Sequence, residues 1–236
     1  PLSKQLYIYA RPGERQVSEY KAKARILLAK MPALLNDESW AKVIKSADPE
    51  LVKFLWNYHP PENKMQLIQA RIILGDLTVV DEIAATPELL DAPADSENPA
   101  NLLSWTVQYA PHEIIAAVFD KTRVRWADYQ DKQGENTLLG AAMDRARNYF
   151  GDDPQVLTVV MKAMLRQGGS WSPAQVARSF YTEEEGSQVV AALYRAGMSC
   201  QQLQAALSNL EAGSTFPFGE QRIREVCAAG NYQAGE

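Results

Sequence analysis

The chain has 236 residues, of which 46% are hydrophobic and 22% charged, the composition of an ordinary globular protein. Its formal charge of -5 argues against general nucleic-acid binding, which needs basic surface to displace counterions. Two cysteines, Cys200 and Cys227, are too few for a disulfide framework and point to a reducing compartment, and no run approaches the roughly 18 apolar residues of a membrane span.

The chain opens Pro-Leu-Ser without Met or a secretory signal, and is read as a piece of a longer protein. Residues 13–35, GERQVSEYKAKARILLAKMPALL, carry the pattern of an amphipathic helix that stops near Pro32. Such a helix suits the end of a repeat stack, where an apolar face must be covered. The expected division is therefore 1–35, N-terminal segment and capping helix, and 36–236, repeat array.

From Asn36 onward one phrase recurs, a polar residue followed by paired aliphatics and a further apolar residue. It reads DPELVKFLW, GDLTVVDEI, PHEIIAAVF, VLTVVMKAML and GSQVVAALY, with a weaker copy in EQRIREVCAAG. The first aliphatic of each pair is Leu51, Val79, Ile114, Val159, Val189 and Ile223. The intervals cluster around the ~33 residues of a helix-turn-helix repeat, with one longer member. A second phrase precedes the first in the better copies and pairs Leu67 with Ala70, Leu103 with Thr106 and Leu139 with Ala142. Apolar residues at this spacing share a helix face, and small ones let a neighbouring helix approach. Each unit thus reads as a short first helix, a tight turn and a second helix.

Between the third and fourth units stands DKQGENTLLGAA, with Asp131, Gly134, Thr137, Leu139 and Ala142 in order. This resembles the ankyrin-repeat phrase, in which Asp and Gly shape a β-turn and T-P-L-H-x-A begins the first helix. Leu138 and Gly140 stand where the family has Pro and His, so the resemblance is to a divergent member. ILGDLTVVDEI is a second match in its inter-helix turn, and LYRAGMS and MLRQGGSW resemble second-helix ends closed by Gly. The resemblance implies an all-α ankyrin-repeat solenoid of about five to six helix-turn-helix units with short finger loops. The polar run YTEEEGS is expected to be a loop, and the insertion around Gly151–Pro154 a longer connection.

Charge is unevenly spread. Asp76, Asp81, Glu82, Glu88, Asp91, Asp95, Glu97, Glu113 and Asp120 fall in a stretch without Lys or Arg, while the first thirty residues hold seven Lys or Arg against two Glu. One-signed surface favours association with an oppositely charged partner, although a solvated face is the simpler account.

Chemistry is sparse. His59 lies in a proline turn and His112 at a helix start, and neither has a second His at i+3 or i+4, so no metal site is expected. There is no phosphate loop, nucleophile elbow or kinase signature, and neither catalytic nor cofactor-binding residues are expected.

Aromatics carry the partner-binding expectation. Arg123, Arg125, Trp126 and Tyr129 interleave charged and aromatic groups where an ankyrin array would project a finger loop, and Trp171 stands at the next such position. The alternative for Trp126 is packing onto its own repeat. Tyr109 belongs to a first helix, on the surface that would line a groove, while Trp105, Trp40 and Trp56 are expected in the core. The resemblance implies a module that binds another protein, with no nucleic acid or membrane partner. Ala- and Gln-rich helices such as QQLQAALSNL point to a bacterial effector, cytoplasmic or secreted into a host cytosol, where it engages a host protein. The alternatives are the docking domain of a larger enzyme and a stand-alone inhibitor.

Overall fold

The computed structural model describes residue 26 and residues 35–94, 101–146, 154–178, 183–208, 221 and 223–228. The fold is all-α. In chain order α1 is Asp37–Ser46, α2 Pro49–Trp56, α3 Lys64–Ile73 and α4 Thr78–Ala85. A 3-10 helix, Pro87–Asp91, leads to α5 at Leu102–Tyr109 and α6 at His112–Lys121. A second 3-10 helix, Trp126–Tyr129, precedes α7 at Thr137–Ala146 and α8 at Pro154–Gln167. Then follow α9 at Pro173–Arg178, α10 at Glu183–Arg195, α11 at Cys200–Leu207 and helical residues 223–228.

One local device opens every odd-numbered helix. Asn36, Asn63, Asn101, Asn136, Ser172 and Ser199 each accept, through the side chain, a backbone N–H two or three residues on. Such a cap satisfies a donor that the first turn leaves without a partner and contributes about 1 kcal/mol. At Ser199 it is a full capping box, because Gln202 returns a bond to the Ser199 N–H.

Packing follows the same alternation. Among odd helices α1 lies on α3, α3 on α5, α5 on α7 and α9 on α11, while among even ones α4 lies on α6, α6 on α8 and α8 on α10. The doubled aliphatics of the even helices are the shared core: Val79, Val80, Ile114, Ile115, Val160, Val189 and Val190 are buried, as is Ile223. In α2 and α8 the first of the pair, Leu51 and Val159, is only half-buried, and its neighbours Val52 and Val160 point inward. Ala70 and Ala142 are fully buried on odd helices, where a small side chain permits close approach. Trp40 and Trp105 are core residues, and Trp56 packs half-buried at its edge. Gly75, Gly168 and Gly197 close α3, α8 and α10 in the left-handed conformation that a Cβ disfavours.

Two expectations are corrected. Cys200 and Cys227 form a disulfide, with Cα atoms 6.0 Å apart. This removes the ground for a reducing compartment, because the fold brings α11 and the last helix together across 27 residues of sequence. The run EEEGS is not a loop, since α10 begins at Glu183. Acidic residues suit a first turn, where they face the positive end of the helix dipole. The capping helix of 13–35 lies outside the described residues except Ile26, which is helical and exposed, and buried Leu35. The insertion up to residue 153 also lies outside them. Among the described residues no helix is long and apolar enough to cross a membrane.

Candidate interaction surface

Residues 122–136 run from the end of α6 to the cap of α7. Val124 and Trp126 alternate inward with exposed Arg123 and Arg125. The Trp126 ring stacks on Phe119 at 5.5 Å between centroids, and the residue is 5% exposed. Gln167, the last residue of α8, holds this segment from above. Its Oε1 accepts the Val124 N–H at 3.0 Å and the indole N–H of Trp126 at 3.3 Å, while its Nε2 donates to the carbonyls of Phe119 and Thr122. One amide side chain thereby satisfies four groups that burial would otherwise penalise.

Tyr129, also 5% exposed, turns its hydroxyl back to the preceding unit. It donates to Asp91 Oδ1 at 3.2 Å and accepts from Asn101 Nδ2 at 3.2 Å. Burial, and secondarily the Asp91 carboxylate, raise its pKa far above the ordinary phenol value. Arg125 completes the group from the solvent side, 3.4 Å from Asp91 and 3.0 Å from Asp128.

Beyond Tyr129 the chain forms a short finger. A bridge pairs Gln130 with Asn136, as another pairs Pro93 with Asn101 at the start of α5. Asp131 Oδ1 accepts the N–H groups of Gln133 and Glu135, and Gly134 takes the positive φ of 76° that the turn requires. At the finger's base Asn136 and Gln175 exchange two bonds, 3.1 and 2.6 Å, and both are buried.

The described part of the acidic stretch is largely neutralised within the fold, Asp95 and Glu97 lying outside the described residues. Arg71 binds Asp76 and Glu82, each at 2.8 Å, Lys121 pairs with Asp81, and Arg166 pairs with Asp120 at 2.7 Å. The Thr78 hydroxyl and the Arg71 guanidinium beside Asp76 hold its carboxyl below the usual range. The last two pairs tie α4 to α6 and α6 to α8, so much of this charge braces consecutive units. Arg145, 7% exposed, does a related job on the odd side, donating from α7 to the Val107 and Ala110 carbonyls at the end of α5.

Compared with known proteins, the chain matches no family model, no curated protein and no solved structure.

The six residues singled out from the sequence therefore divide. Arg123 and Arg125 are exposed, and Arg125 is tethered by carboxylates. Tyr109 is half-buried with its ring 5.3 Å from that of Trp105, and Trp171 is half-buried against the core. Trp126 and Tyr129 present no ring to solvent: of the two readings of Trp126 inward packing is the one observed, and for Tyr129 the exposed finger position is corrected, because Phe119, Gln167 and Asp91 draw these side chains inward. Sequence reasoning missed Gln167, Asn136 and Gln175, whose amides do the joining. Asn136 carried a signal, since Asn directly before an apolar helical run marks a cap.

What faces solvent differs between α4, α6 and α8 on one hand and α5, α7, α9 and α11 on the other, whereas α1 exposes Asp37, Glu38, Lys42 and Lys45 and α3 exposes Lys64. The first set carries exposed Asp81, Asp120, Lys121, Lys162 and Arg166. In the second set α5 and α11 contain no charged residue, α9 contains one, and α7 exposes only Asp144. The half-exposed and exposed positions there include Ser104, Gln108, Thr137, Ala141, Ala174, Gln201 and Gln204. Among the described residues no group of three or more His, Cys, Asp or Glu is placed to hold a metal ion.

Proposed function

We propose that the chain is a non-catalytic protein-binding array of the ankyrin-repeat kind, which holds a partner protein along the exposed side of α5, α7, α9 and α11. The observation that carries this reading is the contrast in charge between α5, α7, α9 and α11 and the charged faces of α4, α6 and α8. Interface centres are depleted of charged residues, while rims are polar. A strip of Ser, Gln and Ala in which Asp144 is the one exposed charge of α7, edged by Arg123, Arg125 and the finger at Asp131–Glu135, has that anatomy. The regular caps and inter-unit bonds support it further, because a preordered surface loses little freedom on binding. Trp126 and Tyr129 have the role of positioning this edge, while Arg123 and Arg125 are the groups that meet the partner.

The test is capture from lysates with quantitative mass spectrometry, using three chains. Wild type and Lys162→Glu, altered on α8, should retain the same partner. Gln108→Arg/Gln204→Arg, altered on α5 and α11 with unchanged circular dichroism, should lose it. Retention by the double variant, or loss from Lys162→Glu alone, places the contact elsewhere and overturns the proposal.

A further inference from the structure

The disulfide lies at the C-terminal end of the packed helices and has properties that a buried staple lacks. Cys200 is the first residue of α11, directly after the Ser199 cap, and Cys227 lies in the helical stretch 223–228. Both cysteines are half-buried, rather than sealed in the core as Leu203 and Ala206 of α11 are. Within residues 223–228 Ile223 is buried and Val226 packs at the core's edge.

We propose that Cys200–Cys227 is a reducible clip, which fastens residues 223–228 over the end of the helix array in an oxidising compartment and releases them in a reducing one. The chemistry is thiol–disulfide exchange with a dithiol reductant. A reductant thiolate attacks Sγ of Cys227, forming a mixed disulfide, and the bond to Cys200 breaks. The Cys200 thiolate leaves at the N-terminus of α11, where the helix dipole and free N–H groups stabilise negative charge. The second reductant thiol then attacks the mixed disulfide at the reductant's own sulfur and frees Cys227. Two electrons and two protons pass to the protein, which gains two thiols, and the reductant becomes a disulfide. Release lets Ile223 leave the apolar surface it covers, while α7 and α8, braced by bonds far from the clip, keep their packing.

The experiment combines alkylation with hydrogen exchange on the full chain. Protein purified in air should take up no iodoacetamide, and two equivalents after dithiothreitol treatment and denaturation. Reduction should speed exchange in residues 223–228 by about a hundredfold, the loss expected for opening a loop of this length. Exchange in α7 and α8 should not change. Cys227→Ser should show the fast exchange without reductant, and Cys200→Ser/Cys227→Ser should not respond to dithiothreitol. Free thiols before reduction, unchanged exchange in 223–228 after it, or loss of protection throughout the chain would each overturn the proposal.

Discussion

Gly169 and Trp126 are in such close contact that a Cβ on the glycine would lie 2.7 Å from Trp126 Cγ, and 2.6 Å from Met164 Cγ. Gly169 is brought there by a turn at the end of α8, which passes through Gly168 with φ 74° and is closed by the Gly169 N–H donating to the Met164 carbonyl. The backbone after α8 is thus laid directly on the indole that leads into the finger. Gly169→Ala places a methyl against the root of a stacked ring and the middle of a buried Met, neither of which can swing away. Overpacking of this kind costs about 1–3 kcal/mol, which denaturant unfolding will read as a lower midpoint. In a double-mutant cycle with Trp126→Ala the two costs should fall short of additive, because the second change removes the atoms the first one meets.

Much of the helical architecture was legible because hydrophobic periodicity is local. The doubled aliphatics marked each even helix, and Gly75, Gly168 and Gly197 marked the ends of α3, α8 and α10. The fate of Trp126 was not legible, since Trp next to Arg has the same local pattern whether its ring faces solvent or Phe119. The deciding partner, Gln167, lies 41 residues away. The same holds for the disulfide: separation in sequence says nothing of which helix ends meet. The acidic stretch read as a solvated face or a field for a partner, and four of its members, Asp76, Asp81, Glu82 and Asp120, pair with Arg71, Lys121 and Arg166 on neighbouring elements.

Gln167 joins the end of α8 to four groups on the segment 119–126. Gln167→Ala leaves two carbonyls and two N–H groups short of a partner at a half-buried position. A cost of about 2–3 kcal/mol is expected, at the upper end for a lost side-chain amide. Trp126 fluorescence should red-shift in the folded variant as water reaches the indole. A loss below 0.5 kcal/mol on that scale would mean that water replaces the amide without penalty.

Asn136 and Gln175 test whether adjacent units are coupled by the finger base. Asn136→Ala loses the cap on the Leu139 N–H, and Gln175→Ala loses the two bonds across to the Asn136 backbone. Each should cost about 1–2 kcal/mol in urea unfolding. Because Gln175 bonds only the Asn136 backbone, the Asn136 side chain and Gln175 are linked through the position of one peptide. The predicted coupling is therefore positive but small, about 0.5 kcal/mol. Strict additivity would show that the peptide stays in place without the Asn136 side chain.

Asp76 supplies a pH dependence whose sign follows from its surroundings. The Thr78 hydroxyl and then Arg71 lower its folded pKa, whereas the unfolded value is about 3.9. Between the two values the unfolded chain binds more protons than the folded one, so stability rises with pH across that window. The contribution is complete above about pH 5 and lost as pH falls through the folded pKa. Asp76→Asn should cost about 1 kcal/mol at pH 7, a modest figure because the pair with Arg71 is partly exposed. The gap between wild type and variant should narrow from pH 5 toward pH 3 in parallel urea titrations. A gap that stayed constant over that range would show that the hydrogen bonds to Thr78, rather than the charge, are what Asp76 contributes.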